Sequence, residues 1–204
     1  MAIALKKGDI LIDTSKWNGT IDWNKVKADP KKIKGVIIKA SEGGSSRHPT
    51  VYKQADGATA AGLPVTYYHF ATWNNEDEVQ DAADEARFFL SVIKGAAMPS
   101  FPLVLDIESN KPIPYTQQEM ISYISSFLKV VKDAGHELMI YGSPGFLNMY
   151  LPKNHPFSEV LLWVADFTGA INPVPGFKKI FLHQFTEKGK VQGINGNVYL
   201  NLVV

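Results

Sequence analysis

Short runs of aliphatic, β-branched and aromatic residues recur along this chain, spaced by about 30 residues in its first part, with helical patterns between them. The runs are Asp9–Asp13, Gly35–Ala40, Pro64–Phe70, Phe101–Glu108, Glu137–Tyr141, Val160–Asp166, Lys179–Phe185 and Asn197–Asn201. A short helix is expected from Asp22, an N-cap residue, and a second from Pro49 to Ala61, stopped by Gly62. A long helix is expected from about Glu76 to Ile93, capped by Asn74 or Asn75. Another runs from Thr116 to Ala134, with Ile121, Ile124, Leu128 and Val131 at helical spacing. Strands that alternate with helices predict parallel pairing through helical crossovers. The last third leaves little chain between its strands. The expectation is an α/β fold: an irregular TIM-like (β/α) barrel of about eight strands, with few helices in the last third. A chain of 204 residues makes one domain spanning 1–204. Gly142-Ser143-Pro144-Gly145 reads as a turn.

The run Phe101–Glu108 ends in two carboxylates one residue apart, Asp106 and Glu108. Side chains alternate faces along a strand, so both point to one side and Leu105 and Ile107 to the other. Two acids that share a site cannot both ionise freely, and one keeps its proton to higher pH. An acid beside a carboxylate is what cleavage of a glycosidic bond requires. The strand rise, roughly 6.5 Å over two residues, falls between the separations of retaining and inverting enzymes, so it leaves the stereochemistry open. Other strands also end in polar residues: Asp13, Glu42, His69, Tyr141, Asp166 and Gln184. In a (β/α) barrel the C-terminal strand ends share one mouth, where active sites lie.

Composition removes several alternatives. The net charge of +1 provides no global field for nucleic acid or an anionic membrane. No run approaches the ~18 apolar residues of a membrane span. The chain has no cysteine, and none of its five histidines stands in a metal-binding spacing, so no metal or other cofactor is expected. The glycine-rich stretch after Glu42 lacks the spacing of a phosphate loop, and Ser143 is not in a nucleophile elbow. Residues 76–85 carry six acids, which read as a solvated helix face.

Asp13-Thr14-Ser15-Lys16-Trp17-Asn18-Gly19 with Ile21-Asp22-Trp23, followed by Gly35–Gly43, resembles the opening of glycoside hydrolase family 25, the Chalaropsis-type lysozymes. The resemblance continues in order through Ala61–Val65 with Tyr68-His69-Phe70, Leu105–Glu108, Leu162–Ala165, and His183-Gln184-Phe185 with Gly193-Ile194. It implies an irregular β/α barrel that hydrolyses the β-1,4 bond between N-acetylmuramic acid and N-acetylglucosamine in peptidoglycan. On that resemblance Glu108 is the general acid, Asp106 assists the 2-acetamido group, and Asp13 helps hold the charge state of the pair. Ionised Asp13 and Asp106 are then expected to keep Glu108 protonated. Tyr68, Tyr141 and Trp163 are candidates to border sugar rings or, alternatively, to pack in the core. Gln184 and Glu42 are candidates to hydrogen-bond sugar hydroxyls. His69 reads as a satisfied core histidine.

One departure stands out. The family usually carries Asp-x-Asn on its last strand, and here Tyr199 stands at the acid's position in Tyr199-Leu200-Asn201. A neutral tyrosine removes one negative charge from the mouth. Asp166 is a candidate substitute. The alternative function is a weakened or non-catalytic glycan-binding relative. A chitinase-like barrel shares the Asp-x-Glu strand but would act on chitin. Expected partners are peptidoglycan glycan strands, acted on by a monomer without nucleic acid or membrane. The expected setting is the cell wall, reached by a phage-type lysis protein or by a secreted protein whose leader has been trimmed.

Overall fold

The computed structural model describes residues 5–73, 77–109 and 112–204. Eight strands close into a barrel: β1 (Ile10–Thr14), β2 (Gly35–Glu42), β4 (Val65–Phe70), β5 (Leu103–Asp106), β6 (Leu138–Gly142), β7 (Leu161–Ala165), β8 (Ile180–Gly189) and β9 (Val198–Val203). β3 (Ser46–Arg47) is a two-residue hairpin arm on β2. Around the barrel the order is β1-β9-β8-β7-β6-β5-β4-β2, and β2 pairs with β1 to close it. Neighbours run parallel except β9, which is antiparallel to both β8 and β1. The expected eight-stranded irregular barrel is the one observed.

The helices are α1 (Trp23–Ala28), α2 (Val51–Ala60), α3 (Glu78–Ile93), α4 (Gln117–Asp133) and α5 (Pro144–Tyr150). Among the described residues none follows β7. The Asp22 carboxylate caps α1 by accepting from the Lys25 N–H. Thr116 and Glu119 form a reciprocal capping box on α4. The cap expected at Asn74 or Asn75 lies outside the described residues; Asp77 accepts from the Val79 and Gln80 N–H groups at the start of α3. Gly142-Ser143-Pro144-Gly145 is not a free turn. Ser143 caps α5 and Pro144 takes its first position, where a missing N–H costs nothing.

Two apolar layers result from strand alternation. The outward layer includes Ile12, Ile38, Leu105, Ile140 and Val164, packed beneath the helices. α2 approaches α1 so closely at Gly57 that a Cβ there would lie 2.3 Å from Trp23. The inward layer is smaller: Leu11, Ile37, Val104, Met139, Tyr141, Trp163, Leu182 and Val203 fill the barrel. This interior plug forms the floor of the mouth.

The acids of residues 76–85 do not form one solvated face: Glu76 lies outside the described residues, Asp77 caps α3, and Glu78, Asp81, Asp84 and Glu85 lie within it. Glu85 is 1% exposed. Its carboxylate meets His69 Nε2 at 2.8 Å, accepts from Tyr123 Oη at 2.7 Å and from the Thr72 N–H at 3.2 Å, and also bonds the Thr72 hydroxyl. His69 in turn meets Ser41 Oγ through Nδ1 at 2.8 Å. Ser41, His69 and Glu85 thus line up in the order of a hydrolytic triad, but all three are sealed beneath the outer layer. The serine is buried and its hydroxyl is engaged by His69, and the chain of bonds ties β2, β4, α3 and α4 together.

Candidate active site

Inward columns of the barrel change from apolar to polar as they rise. Leu11 is followed by Asp13, Ile37 by Lys39, Val104 by Asp106, Met139 by Tyr141, and Leu182 by Gln184. β9 runs the other way, so its column climbs from Val203 through Asn201 to Tyr199, which lies opposite Asp13 in register. The polar tops of these columns surround one mouth at the C-terminal ends of the parallel strands.

Asp13 is held from two sides. Its Oδ2 accepts from Gln184 Nε2 at 3.0 Å and from Asn201 Nδ2 at 3.0 Å. Gln184 Oε1 accepts from Tyr141 Oη at 3.0 Å, and Asn201 Oδ1 accepts from Trp163 Nε1 at 2.8 Å. The Trp163 indole can only donate and so fixes the Asn201 amide, and both amides present N–H groups to Asp13. Burial raises the Asp13 carboxyl to about 6, against the bonds from Asn201 and Gln184 and with the Glu108 charge adding to the rise.

Asp106 ends β5, and Ile107 continues the extended path by donating its N–H to the Tyr141 carbonyl. Glu108 therefore returns to the inward side. Burial first, and the Glu108 charge second, push the Asp106 carboxyl well above its ordinary range, while Lys39 pulls it down. Its Oδ1 is buried and accepts no hydrogen bond among the described residues. Glu108 is half-buried and also raised, chiefly by burial, again against Lys39. The expected cause of the Glu108 shift, ionised Asp13 and Asp106, is not the one found: burial raises Glu108, and it is the Glu108 charge that adds to burial in raising Asp13 and Asp106. Asp106 is the group on which desolvation and neighbouring charge combine.

The remaining expected residues divide. Tyr68 is half-buried at the mouth, and both Tyr68 and Tyr141 have phenols raised by burial and by the charges of the three acids. Glu42 lies at the lip, paired with Lys39 Nζ at 2.8 Å. It helps line a 250 Å³ cavity with Lys16, Trp17, His48 and Tyr68. Trp163 does not border substrate: it is 2% exposed inside the barrel, packed on Tyr141 with ring centroids 4.5 Å apart. Its place is below Asn201, as a hydrogen-bond donor. Asp166 does not replace the missing acid. Its carboxylate turns into the loop after β7, accepting from the Thr168 N–H and hydroxyl and from the Asn172 N–H and side-chain amide. Against its desolvation, those bonds bring it down to about 2. Tyr199 is at the rim, 39% exposed.

Three residues escaped the sequence reading. Lys39 is the cation that opposes protonation of Asp106 and Glu108, and its Nζ also sits 4.5 Å from the Phe70 ring centroid. Asn201 is the second donor to Asp13. Phe167 is an exposed aromatic next to Tyr199. Strand alternation places Lys39 in the mouth by itself; the other two require the antiparallel course of β9 and the loop after β7. Among the described residues no cluster of His, Cys, Asp and Glu is arranged to hold a metal ion.

Comparison with known proteins gives the same reading. Residues 12–194 match the family described as glycosyl hydrolases family 25. A protein of Escherichia coli strain K12 named YegX, described as uncharacterized, is 29% identical over 195 residues, covering 94% of this chain and 68% of its own length. The autolytic lysozyme of Clostridium acetobutylicum is 28% identical over 194 residues, with 93% of this chain and 54% of the relative covered. The crystal structure of a lysozyme from Streptomyces coelicolor superposes with a TM-score of 0.87 at 25% identity, covering 98% of this chain and 93% of that one. With the family match extending over most of the barrel, this chain belongs to glycosyl hydrolases family 25, the family of lysozymes and muramidases, and is a glycoside hydrolase.

Proposed function

We propose that this chain is an N-acetylmuramidase that cleaves the β-1,4 bond between N-acetylmuramic acid and N-acetylglucosamine in peptidoglycan, and so acts on the cell wall as a single domain. The observation that carries the proposal is the convergence of Asp13 from β1 with Asp106 from the end of β5 and Glu108 just beyond it in one mouth, each raised by burial. Glu108, the most solvent-accessible of the three, donates a proton to the leaving sugar oxygen. The free Oδ1 of Asp106 accepts the acetamido N–H of the substrate. That bond favours an ionised Asp106, which leaves the proton shared by the pair on Glu108. The acetamido oxygen then bonds to the anomeric carbon as the glycosidic bond breaks. Water, deprotonated by Glu108, opens the resulting oxazolinium ring. Asp13, locked between Gln184 and Asn201, supplies negative potential to the developing positive charge.

A purified peptidoglycan suspension tests this. The chain is expected to clear the suspension and release new reducing ends, and Glu108→Gln is expected to abolish both. Mass spectrometry of the released muropeptides identifies the bond cut. Tyr199 at the rim favours one other reading, a glycan-binding relative. Retention on walls with no new reducing ends would establish that reading instead.

A further inference from the structure

Among the described residues the exposed large aromatics are Trp17, Phe167 and Tyr199, and all three stand at the C-terminal face of the barrel. Two of them face each other. The Phe167 and Tyr199 ring centroids are 6.3 Å apart with planes inclined at 35°, and the rings are 49% and 39% exposed. Tyr199 sits directly across from Asp13 on β9, so this pair adjoins the acid cluster. Two neighbouring half-exposed rings beside an acid cluster offer an apolar surface to a ligand in the mouth.

The loop that presents Phe167 is built rather than loose. Asp166 anchors it with bonds from both ends of the 168–172 segment, and the Asp166 carbonyl lies 2.7 Å from His183 Nε2. Asp166 N–H is tied to the Gln184 carbonyl at 3.0 Å. The ring of Phe167 is therefore held up by a braced turn and does not fold onto the core. A pyranose ring has a face of C–H groups that packs on such a surface, while its hydroxyl and acetamido groups remain in water.

We propose that Phe167 and Tyr199 form a two-ring platform that stacks one N-acetylhexosamine ring of the glycan strand beside the cleavage point, with Asp166 as the positioning residue for Phe167. This rests on the muramidase reading for its substrate. At position 199, where the resemblance leads one to expect an acid, this chain presents a stacking surface.

The test separates binding from cleavage. In the Glu108→Gln background, affinity for a soluble tetrasaccharide of alternating N-acetylglucosamine and N-acetylmuramic acid is measured by calorimetry. Phe167→Ala and Tyr199→Ala are each expected to weaken binding about fivefold. Phe167→Tyr and Tyr199→Phe, which keep the rings, are expected to bind as the parent does. Asp166→Ala is expected to weaken binding less than Phe167→Ala does, with no further loss when the two are combined. Unchanged affinity in both ring-deleted variants, checked as folded by circular dichroism, would overturn the platform. Wall clearing by the unmodified chain is scored separately. Clearing with unchanged affinities removes the platform alone, and lost affinity without clearing removes the hydrolytic reading alone.

Discussion

The carboxylates of Glu85 and Asp106 are both buried, one on each side of the barrel wall, and they are completed in opposite ways. Glu85 is surrounded by His69, Tyr123 and both polar groups of Thr72. Asp106 keeps one oxygen with no partner among the described residues and shares its surroundings with Glu108 and Asp13. A buried acid whose bonds are all made stabilises the packing and has nothing left to offer a ligand. A buried acid left short of a donor costs stability and retains the capacity to bind one. Glu85 belongs to the architecture on this criterion, and Asp106 to the chemistry, although a linear Ser-His-Glu array invites the reverse assignment.

The largest effect expected is on the chemical side. Glu108→Gln should lower the rate of peptidoglycan cleavage by about a thousandfold, with an unfolding midpoint in urea at pH 7 no lower than the parent's. Next comes the structural side. Glu85→Ala strands His69 and Tyr123 in the interior and should cost about 3–5 kcal/mol of stability, read from urea unfolding. Under conditions where that variant is folded, its turnover should stay within about threefold of the parent. A large loss of turnover with unchanged stability would reverse the contrast.

Acidity sharpens the comparison. The folded chain holds protons on Asp13, Asp106 and Glu108 to higher pH than the unfolded chain does. Stability contributed by these groups is present at low pH and falls as pH rises, from about 4 through about 6 in the case of Asp13. Asp13 alone accounts for about 3 kcal/mol across that window. Asp166 runs the other way: its contribution is present above about pH 4 and is lost as pH falls through about 2. Asp106→Asn should therefore raise stability at pH 7, leave it unchanged near pH 3, and abolish cleavage. A pH series of urea unfolding curves reads the first two, and release of reducing ends from peptidoglycan reads the third. The smallest effect concerns the support beneath Asp13. Trp163→Phe deletes the donor to Asn201 and should cost about 1 kcal/mol, with a severalfold drop in turnover and little change in affinity.

The sequence disclosed the barrel and three acids because both follow from short-range rules. Alternation along β1 and β5 sends Asp13, Asp106 and Glu108 inward once the strands are recognised. Glu85 was hidden because its partners lie on other elements, and six acids in ten residues look alike until the helix is seated. Trp163 in the middle of β7 and Asp166 just past its end look ordinary, and only barrel closure tells that the ring points into the plug and that the carboxylate bends back into its own loop. Pro144 misled for a different reason: the residues that close a turn also open a helix.

The reversed direction of β9 has a practical consequence. Because every second residue of that strand faces the barrel axis, Tyr199, Asn201 and Val203 form one file and Leu200 and Leu202 the other. A slip of one step would bring a leucine beneath Asp13 in place of the asparagine, whereas a slip of two would preserve the file. The ladders of β9 with β1 and β8 must therefore hold their register to the residue, a restriction that no side chain of the strand reveals individually.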